Sequence, residues 1–514
     1  MNHEMKKTLG FVIAAVLMSG AAIVGSVDRS IRPESFNDQG GKFFDDFDPN
    51  AVTTLEVFDY DPSTLTPLPF KVTQKDGRWV IPSHYDYSAD AKQRLVDTAT
   101  GVIGLTKDSI RSDRVEDQEV MGVIDPLDTK NTAVKGIGKR VTLRDASDKV
   151  LADFIIGKEV KDHPEQRYVR VPGQKRIYGV DVKADLSTRF ADWIETNLLK
   201  LDASKVRKVV IDQQGFNPET GTIVPGEVIT IQRKDASTPW TVEGTPEGKE
   251  PNTDTLLALT NGLSDLKIAG IRPKPEGLTA DLKEASGEVK PTTRQALLSL
   301  VSKGFYLTRN NGLLSNKGKV EIFTDEGVVY TLRFGEVVFA TGNELSAGPA
   351  EEDKSAETEK GETPKDPAKP AEGTSEGRYL FATAAFDPSL IPPPKPSSDP
   401  DDKFPDDPFL EAAGEKPLVV ESAQAKEKAE KLKAEQDKLV EAGKKRAKEL
   451  SDRFAAWYYV TPGDSYRTIV QERSNLIRDK SAKPAGPAGG PGGLPPGFPG
   501  GLPGGGLPFN PHGG

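Results

Sequence analysis

The chain of 514 residues contains no cysteine. Disulfides, thiolate metal sites, a cysteine nucleophile and a lipid-modified cysteine are therefore excluded, while the redox compartment is left open. Histidine is nearly absent: there are four, and His3 and His512 lie in terminal segments, leaving His84 and His163 in the folded part. Neither has metal-ligand spacing. Asp86 and Asp90 lie near His84, and Asp162 and Glu165 flank His163, sets that hold zinc only if the fold gathers them. An excess of positive charge is missing too, since 68 Lys and Arg face 78 Asp and Glu for a net charge of −10. That balance argues against a nucleic-acid surface, which needs clustered cations, and against anionic headgroups. The acidic clusters Asp45-Asp46-Asp48, Asp401-Asp402 and Asp406-Asp407 lack the ligand spacing and central Gly of a calcium loop, so they read as solvated charge. Gly136-Ile137-Gly138-Lys139 lacks the length of a phosphate-binding loop and its Ser or Thr after Lys. No nucleophile elbow occurs. The expectation is a non-enzymatic protein with no catalytic, metal or cofactor residues.

Long apolar runs are scarce, apart from one. Lys6 and Lys7 precede an uncharged stretch, 8–27, whose length at 1.5 Å per residue is about 30 Å, the thickness of a hydrocarbon core. Asp28 follows, so the charge asymmetry places residues 1–7 in the cytoplasm and the bulk outside. The competing reading is a cleaved signal peptide, with Ser19 and Ala21 or Gly20 and Ala22 at the cleavage site. Continuation of the run through Ile23 and Val24 favours an anchor. The resulting expectation is a single-pass protein of the inner membrane with an extracytoplasmic bulk, preceded by a linker over 28–49.

What the chain does contain is a repeat. At an offset of 161 residues, Trp79, Leu95, Gly101, Val102, Leu105 and Ile110 return as Trp240, Leu256, Gly262, Leu263, Leu266 and Ile271. Arg189-Phe190-Ala191-Asp192-Trp193 is echoed by Arg453-Phe454-Ala455-Ala456-Trp457, and Arg167-Tyr168-Val169 by Arg378-Tyr379-Leu380. The shared positions are structural. Trp79 and Trp240 are expected to anchor cores, Gly101 and Gly262 to let a helix approach a sheet, and Trp193 and Trp457 to mark a closing helix in each copy.

Periodicity fills in each copy. Leu55 and Val57, then Phe70 and Val72, alternate before the turn Lys75-Asp76-Gly77 and a strand at Trp79. After Ser88 or Asp90 as N-cap, Ala91, Leu95, Ala99, Val102 and Ile103 form a helical stripe. The second copy repeats this with Ile229, Ile231 and Trp240, then Asn252 or Thr253 as cap and Leu256, Leu259, Leu263 and Leu266 as stripe. A second hairpin follows in each, from Val141 to Ile156 and from Val320 to Phe334, with bends at Ala146-Ser147-Asp148 and Asp325-Glu326-Gly327 and with Gly157 and Gly335 closing strands. The fold class is α+β: two tandem repeats, each a mostly antiparallel sheet packed by a helix. Repeat one spans 50–203. Repeat two spans 204–341 and 378–390, with its carboxy-terminal element at 458–480.

Insertions distinguish the second copy. Residues 342–377, rich in Glu, Lys, Pro, Ala and Ser, are expected to be disordered. A Pro- and Asp-rich connector covers 391–421, and a long charged helix 422–457 follows, a solvated arm whose heptads are interrupted by Gln436, Gly443 and Arg446. The Pro/Gly tail 481–514 is expected to be disordered.

A single amino-terminal span, Gly77-Arg78-Trp79 before a capped helix, Phe154-Ile155-Ile156-Gly157, Arg167-Tyr168-Val169 and Leu198-Leu199 together resemble the bacterial "domain of unknown function 4340" family. The resemblance covers 50–200 and, less closely, 204–390. It implies exported, membrane-tethered proteins, many encoded beside components of gliding-type or other ABC transporters and hence with an accessory role at the cell envelope, and brings no catalytic residues. The leading expectation is an envelope scaffold or transporter accessory held in the membrane by residues 8–27, with no nucleic-acid partner and no particular oligomeric state. The alternatives are a ligand-binding module for a glycan or peptide in the groove between repeats, and a hydrolase acting on envelope polymers.

Overall fold

The structure, a computed structural model, describes residues 40–44, 47–61, 66–90, 98, 101, 105–128, 135–182, 186–217, 219–283, 293–308, 312–348, 374–393 and 423–480. The stretches 1–39, 394–422 and 481–514 lie outside the described residues, and with them the anchor, most of the connector and the tail. Among the described residues no helix is long and apolar enough to cross a membrane.

The first sheet is built from β1 (Thr54–Asp61), β2 (Thr66–Lys75), β3 (Arg78–Ile81), β4 (Tyr87–Ser88), β5 (Ser109–Ser112), β6 (Lys139–Arg144), β7 (Val150–Val160), β8 (His163–Arg170) and β9 (Ile177–Asp181). Its order is β4-β3-β2-β1-β6-β7-β8-β9-β5, antiparallel throughout. Local chemistry explains the hairpins. Asp76 and Gly77 both have positive φ, 49° and 74°, as a two-residue turn matched to strand twist requires. Leu55, Val57, Phe70 and Val72 alternate into the core. A short helix α1 (Asp117–Met121) crosses β7.

The second sheet and its attachments comprise β10 (Val206–Asp212), β11 (Gly215–Asn217), β12 (Thr222–Val224), β13 (Val228–Gln232), β14 (Thr241–Val242), β15 (Lys249–Pro251), β16 (Gly270–Pro273), β17 (Phe305–Thr308), β18 (Gly312–Ser315), β19 (Lys319–Thr324), β20 (Val328–Ala340), β21 (Ser375–Phe386), β22 (Trp457–Pro462) and β23 (Ile477–Asp479). The helices are α2 (Thr253–Ser264), α3 (Arg294–Val301), α4 (Gly342–Ala347), α5 (Ala423–Ala455), α6 (Gly463–Ile469) and α7 (Arg473–Leu476). Eight strands form the main sheet in the order β14-β13-β10-β19-β20-β21-β22-β16, while β11–β12, β15–β23 and β17–β18 are separate pairs. The order follows that of the first sheet strand for strand, except that β4 is an added edge.

One hydrophobic cluster runs through both sheets. It joins Val57, Val72, Phe154 and Trp193 to Ile211, Ile322, Leu332, Leu259 and Phe454. The segment between the sheets is pinned across the gap, because Leu198 N–H donates to Leu266 O (2.8 Å) and Ile268 N–H to Thr196 O (2.8 Å). The architecture is α+β.

Several expectations need correction. Trp193 lies in a 3-10 turn after β9, whereas Trp457 opens β22, the strand occupying the place of β9. Their shared five-residue string therefore marks no equivalent position, since a short string with no turn residue carries no topological information. Gly157 and Gly335 do not close strands but lie within β7 and β20, where the register with the next strand shifts. A Cβ at Gly157 would strike Met121 O, and one at Gly335 would strike Lys303 O and the Phe305 ring, so each glycine admits a crossing segment. Gly262 approaches Thr468 of α6, not the sheet. Trp79 and Trp240 are half-buried at the core rim; Arg233 stacks on the Trp240 ring at 4.4 Å. Asn252 occupies the N-cap of α2 without a side-chain cap bond, and its Nδ2 donates instead to Asn475 O (3.2 Å).

The boundaries move as well. Residues 40–44 belong to the first module: Phe43 packs edge-on to Tyr178 with ring centroids 5.0 Å apart, and its N–H donates to Leu105 O. The segment 342–377 contains α4 and the start of β21, so only 349–373 of it lies outside the described residues. The long helix is not a solvated arm over its full length. Its carboxy-terminal half buries Ala447, Leu450 and Phe454 on the second sheet, and Gly443 meets Glu326 O. The interruption at Gly443 is thus the contact itself. Of the helical stripe expected in the first copy, Ala91, Leu95, Ala99, Val102 and Ile103 lie outside the described residues, while Thr98 and Gly101 are helical.

Candidate functional site

Between the first sheet and α5 lies a cleft of about 650 Å³. Its floor is aromatic. Tyr87, buried on β4, meets Trp457 of β22 edge-to-face with centroids 5.2 Å apart. One side carries Arg78 of β3 and Asp90 just after β4, and the other carries Glu449, Asp452 and Arg453 of α5. The linking segment closes one end with Glu195 and Lys200, whose charges are 3.5 Å apart.

The walls are held by charge-assisted bonds. Arg453 Nη2 donates to Glu195 O (3.0 Å) and Asn197 O (2.9 Å), and Arg446 Nη2 to Lys200 O (2.9 Å). A backbone N–H from Asn197, helped by Lys200 and Arg453, holds the Glu195 carboxyl below its ordinary range. Burial pushes the Tyr87 phenol up. The cleft is therefore an open trough with ionised walls over an aromatic floor, suited to binding a polar ligand with one apolar face.

A polar latch lies behind it. His84 is fully buried, stacked on Phe190 at 4.0 Å, with Nδ1 2.9 Å from Ser83 Oγ and Nε2 2.9 Å from Ser346 Oγ. Ser346 belongs to α4 of the second module. Beside it, Arg272 Nη1 donates to Ser346 O (3.0 Å) and Nη2 to Glu344 O (2.9 Å) and Leu345 O (3.1 Å), supplying a cation to the carboxy-terminal carbonyls of α4. Tyr85 Oη donates to Ala347 O (2.9 Å). Burial and the nearby Arg272 lower the His84 pKa to about 4, so the ring is neutral near pH 7.

The sequence-derived candidates separate in space. His84 has both ring nitrogens occupied by hydroxyls, and Asp86 pairs with Lys75 at 2.7 Å. His163 is exposed and lies 3.4 Å from Glu165. No group of three metal-ligating side chains occurs among the described residues. Of the repeat markers, Trp457 lines the cleft. Arg272, Ser346 and Glu195 were not singled out from sequence, and Arg453 entered only as part of an echoed string; the available signal was an Arg in the apolar strand context Ile271-Arg272.

Residues 79–284 match the family model described as "Domain of unknown function (DUF4340)". The match supports the family. The matched segment starts on β3 and takes in the linking segment, α2 and β16, so it straddles the junction between the sheets. It is shorter at both ends than the expected coverage of 50–200 and, less closely, 204–390, and the match does not extend to β20 or α5. No curated protein and no solved structure matches the chain.

Proposed function

We propose that this protein is a membrane-anchored, exported, non-enzymatic scaffold or accessory protein of the bacterial cell envelope, made of two tandem DUF4340-type copies and associated with an ABC-type transport system. The observation that carries this reading is the single core shared by two sheets of the same strand order. Such a body is stiff, and what the two copies hold in common is packing; the polar cleft belongs to their junction and not to either copy. The charge pattern around residues 8–27 supports the anchor. Extraction at alkaline pH should leave the protein in the membrane fraction, and release into the supernatant would remove the anchor from this reading. Purification in mild detergent should bring down a transporter subunit; recovery of the chain alone across several detergents would count against the association.

A second reading is favoured by the cleft, whose volume lies within the roughly 300–1,000 Å³ usual for small-ligand sites. In it the protein binds an envelope glycan or peptide between the modules. Retention on immobilised envelope glycans or peptides should be lost in Trp457→Ala, and equal retention of the variant would exclude the cleft.

A further inference from the structure

On the face of the second sheet turned away from the shared core, Asp212, Lys319 and Arg333 form a row across β10, β19 and β20, each directly opposite the next. Arg333 is half-buried there, and its Nη1 is buried without a hydrogen-bond partner. The charge of Glu321 acts on it, but that carboxylate is engaged by Lys319 Nζ at 3.1 Å. Asp212 Oδ1 is likewise occupied, accepting from Gln214 N–H (3.0 Å). The guanidinium fork thus retains unused donor capacity in a place where leaving it unused is costly.

Comparison of the copies makes the position unusual. Gly157 and Gly335 occupy matching bulges, so the residue two places earlier in β20, Arg333, stands where β7 has Ile155. Ile155 is fully buried in an apolar cluster with Val123 and Ile177. In the second copy the corresponding apolar cluster surrounds Phe305, Phe381 and Tyr458, and Arg333 stands directly opposite Phe381 at its edge. Arg333 and Lys319, with the Asp212 carboxylate and Gln214 also in the lining, face a pocket of about 70 Å³, closed by Gly215, Ile223, Leu314 and Ser315 from the β11–β12 and β17–β18 hairpins. One water needs roughly 10–15 Å³ on this measure. The space therefore admits about five heavy atoms, the size of a single oxyanion.

We propose that this pocket is an anion site of the second module, in which Arg333 holds a compact oxyanion, a phosphate or a carboxylate, by a bidentate pair of hydrogen bonds with Lys319 as the second cation. Planar fork geometry suits Arg to this task, and a low-dielectric wall strengthens the contact. The site lies outside the inter-module cleft and is independent of the scaffold reading.

The test uses the full chain in mild detergent at constant ionic strength. Inorganic phosphate should raise Tm saturably, and acetate run in parallel distinguishes a phosphate from a carboxylate site. Equilibrium dialysis with labelled phosphate, or labelled acetate, should give one bound anion per chain. Arg333→Ile, which installs the residue of the first copy, should be as stable as the parent without anion and need at least tenfold more anion for the same rise in Tm. Lys319→Met should weaken binding by a smaller factor. An equal response of Arg333→Ile and the parent to both anions, or no response of the parent to either, overturns the proposal. Should Arg333→Ile not fold, Arg333→Met, with its unbranched stem, takes its place: the same tenfold loss is expected, and a response equal to the parent's overturns the proposal in the same way.

Discussion

His84 offers both ring nitrogens to hydroxyls and its face to Phe190, a buried arrangement that favours the neutral imidazole. Its pKa, about 4 in the folded chain, lies below the 6.5 of the free side chain. As pH falls, the unfolded chain therefore takes up the proton first; the contribution to stability is complete above about 6.5, declines toward about 4 and levels off below. At about pH 5 the loss is on the order of 2 kcal/mol. Urea midpoints near neutral pH and at about pH 5 should differ more for the parent than for His84→Gln, and equal differences would disprove the linkage. A second residue-scale expectation concerns Gly335, whose added Cβ would meet Lys303 O and the Phe305 ring. Gly335→Ala should cost about 1–3 kcal/mol by overpacking, read as a drop in the denaturation midpoint.

Among the elements, α5 is docked toward its carboxy-terminal end and exposed at Leu439. Leu450 is 2% exposed against the second sheet, whereas Leu439 is 44% exposed. Leu450→Ala should therefore destabilise by about 2–5 kcal/mol in equilibrium unfolding, and Leu439→Ala by no more than about 0.5 kcal/mol. Equal effects would mean that the helix is not docked. The helix itself was legible in the sequence, because its composition and length are local properties, but its docking was not. Gly443 reads as a heptad defect along the chain and becomes a point of contact only when Glu326 O is brought against it. The strands at Leu55, Phe70, Ile229 and Val320 were likewise legible from period-two alternation and from Gly-containing bends. The role of Gly157 and Gly335 was misread, because a glycine inside a bulged strand and one ending a strand look alike in sequence.

The whole molecule depends on contacts that bind the two sheets into one core. Calorimetry should accordingly give a single transition for the described body, with matching calorimetric and van't Hoff enthalpies. Two resolved transitions would show that the sheets unfold independently. The candidate site was only partly legible. Trp457 was singled out, though for a repeat role that its position on β22 does not support, and His84 was considered for a metal, whereas both its ring nitrogens face hydroxyls. By itself the sequence determined the α+β class, the approximate strand and turn positions and the likeness of Trp79-to-Ile110 to Trp240-to-Ile271, since these follow from neighbours a few residues apart. Only the tertiary structure decided the shared core, the cleft, the Arg333 pocket and the latch. His84 and Ser346 stand 262 residues apart, and no periodicity or short motif encodes which distant surfaces lose their water to each other.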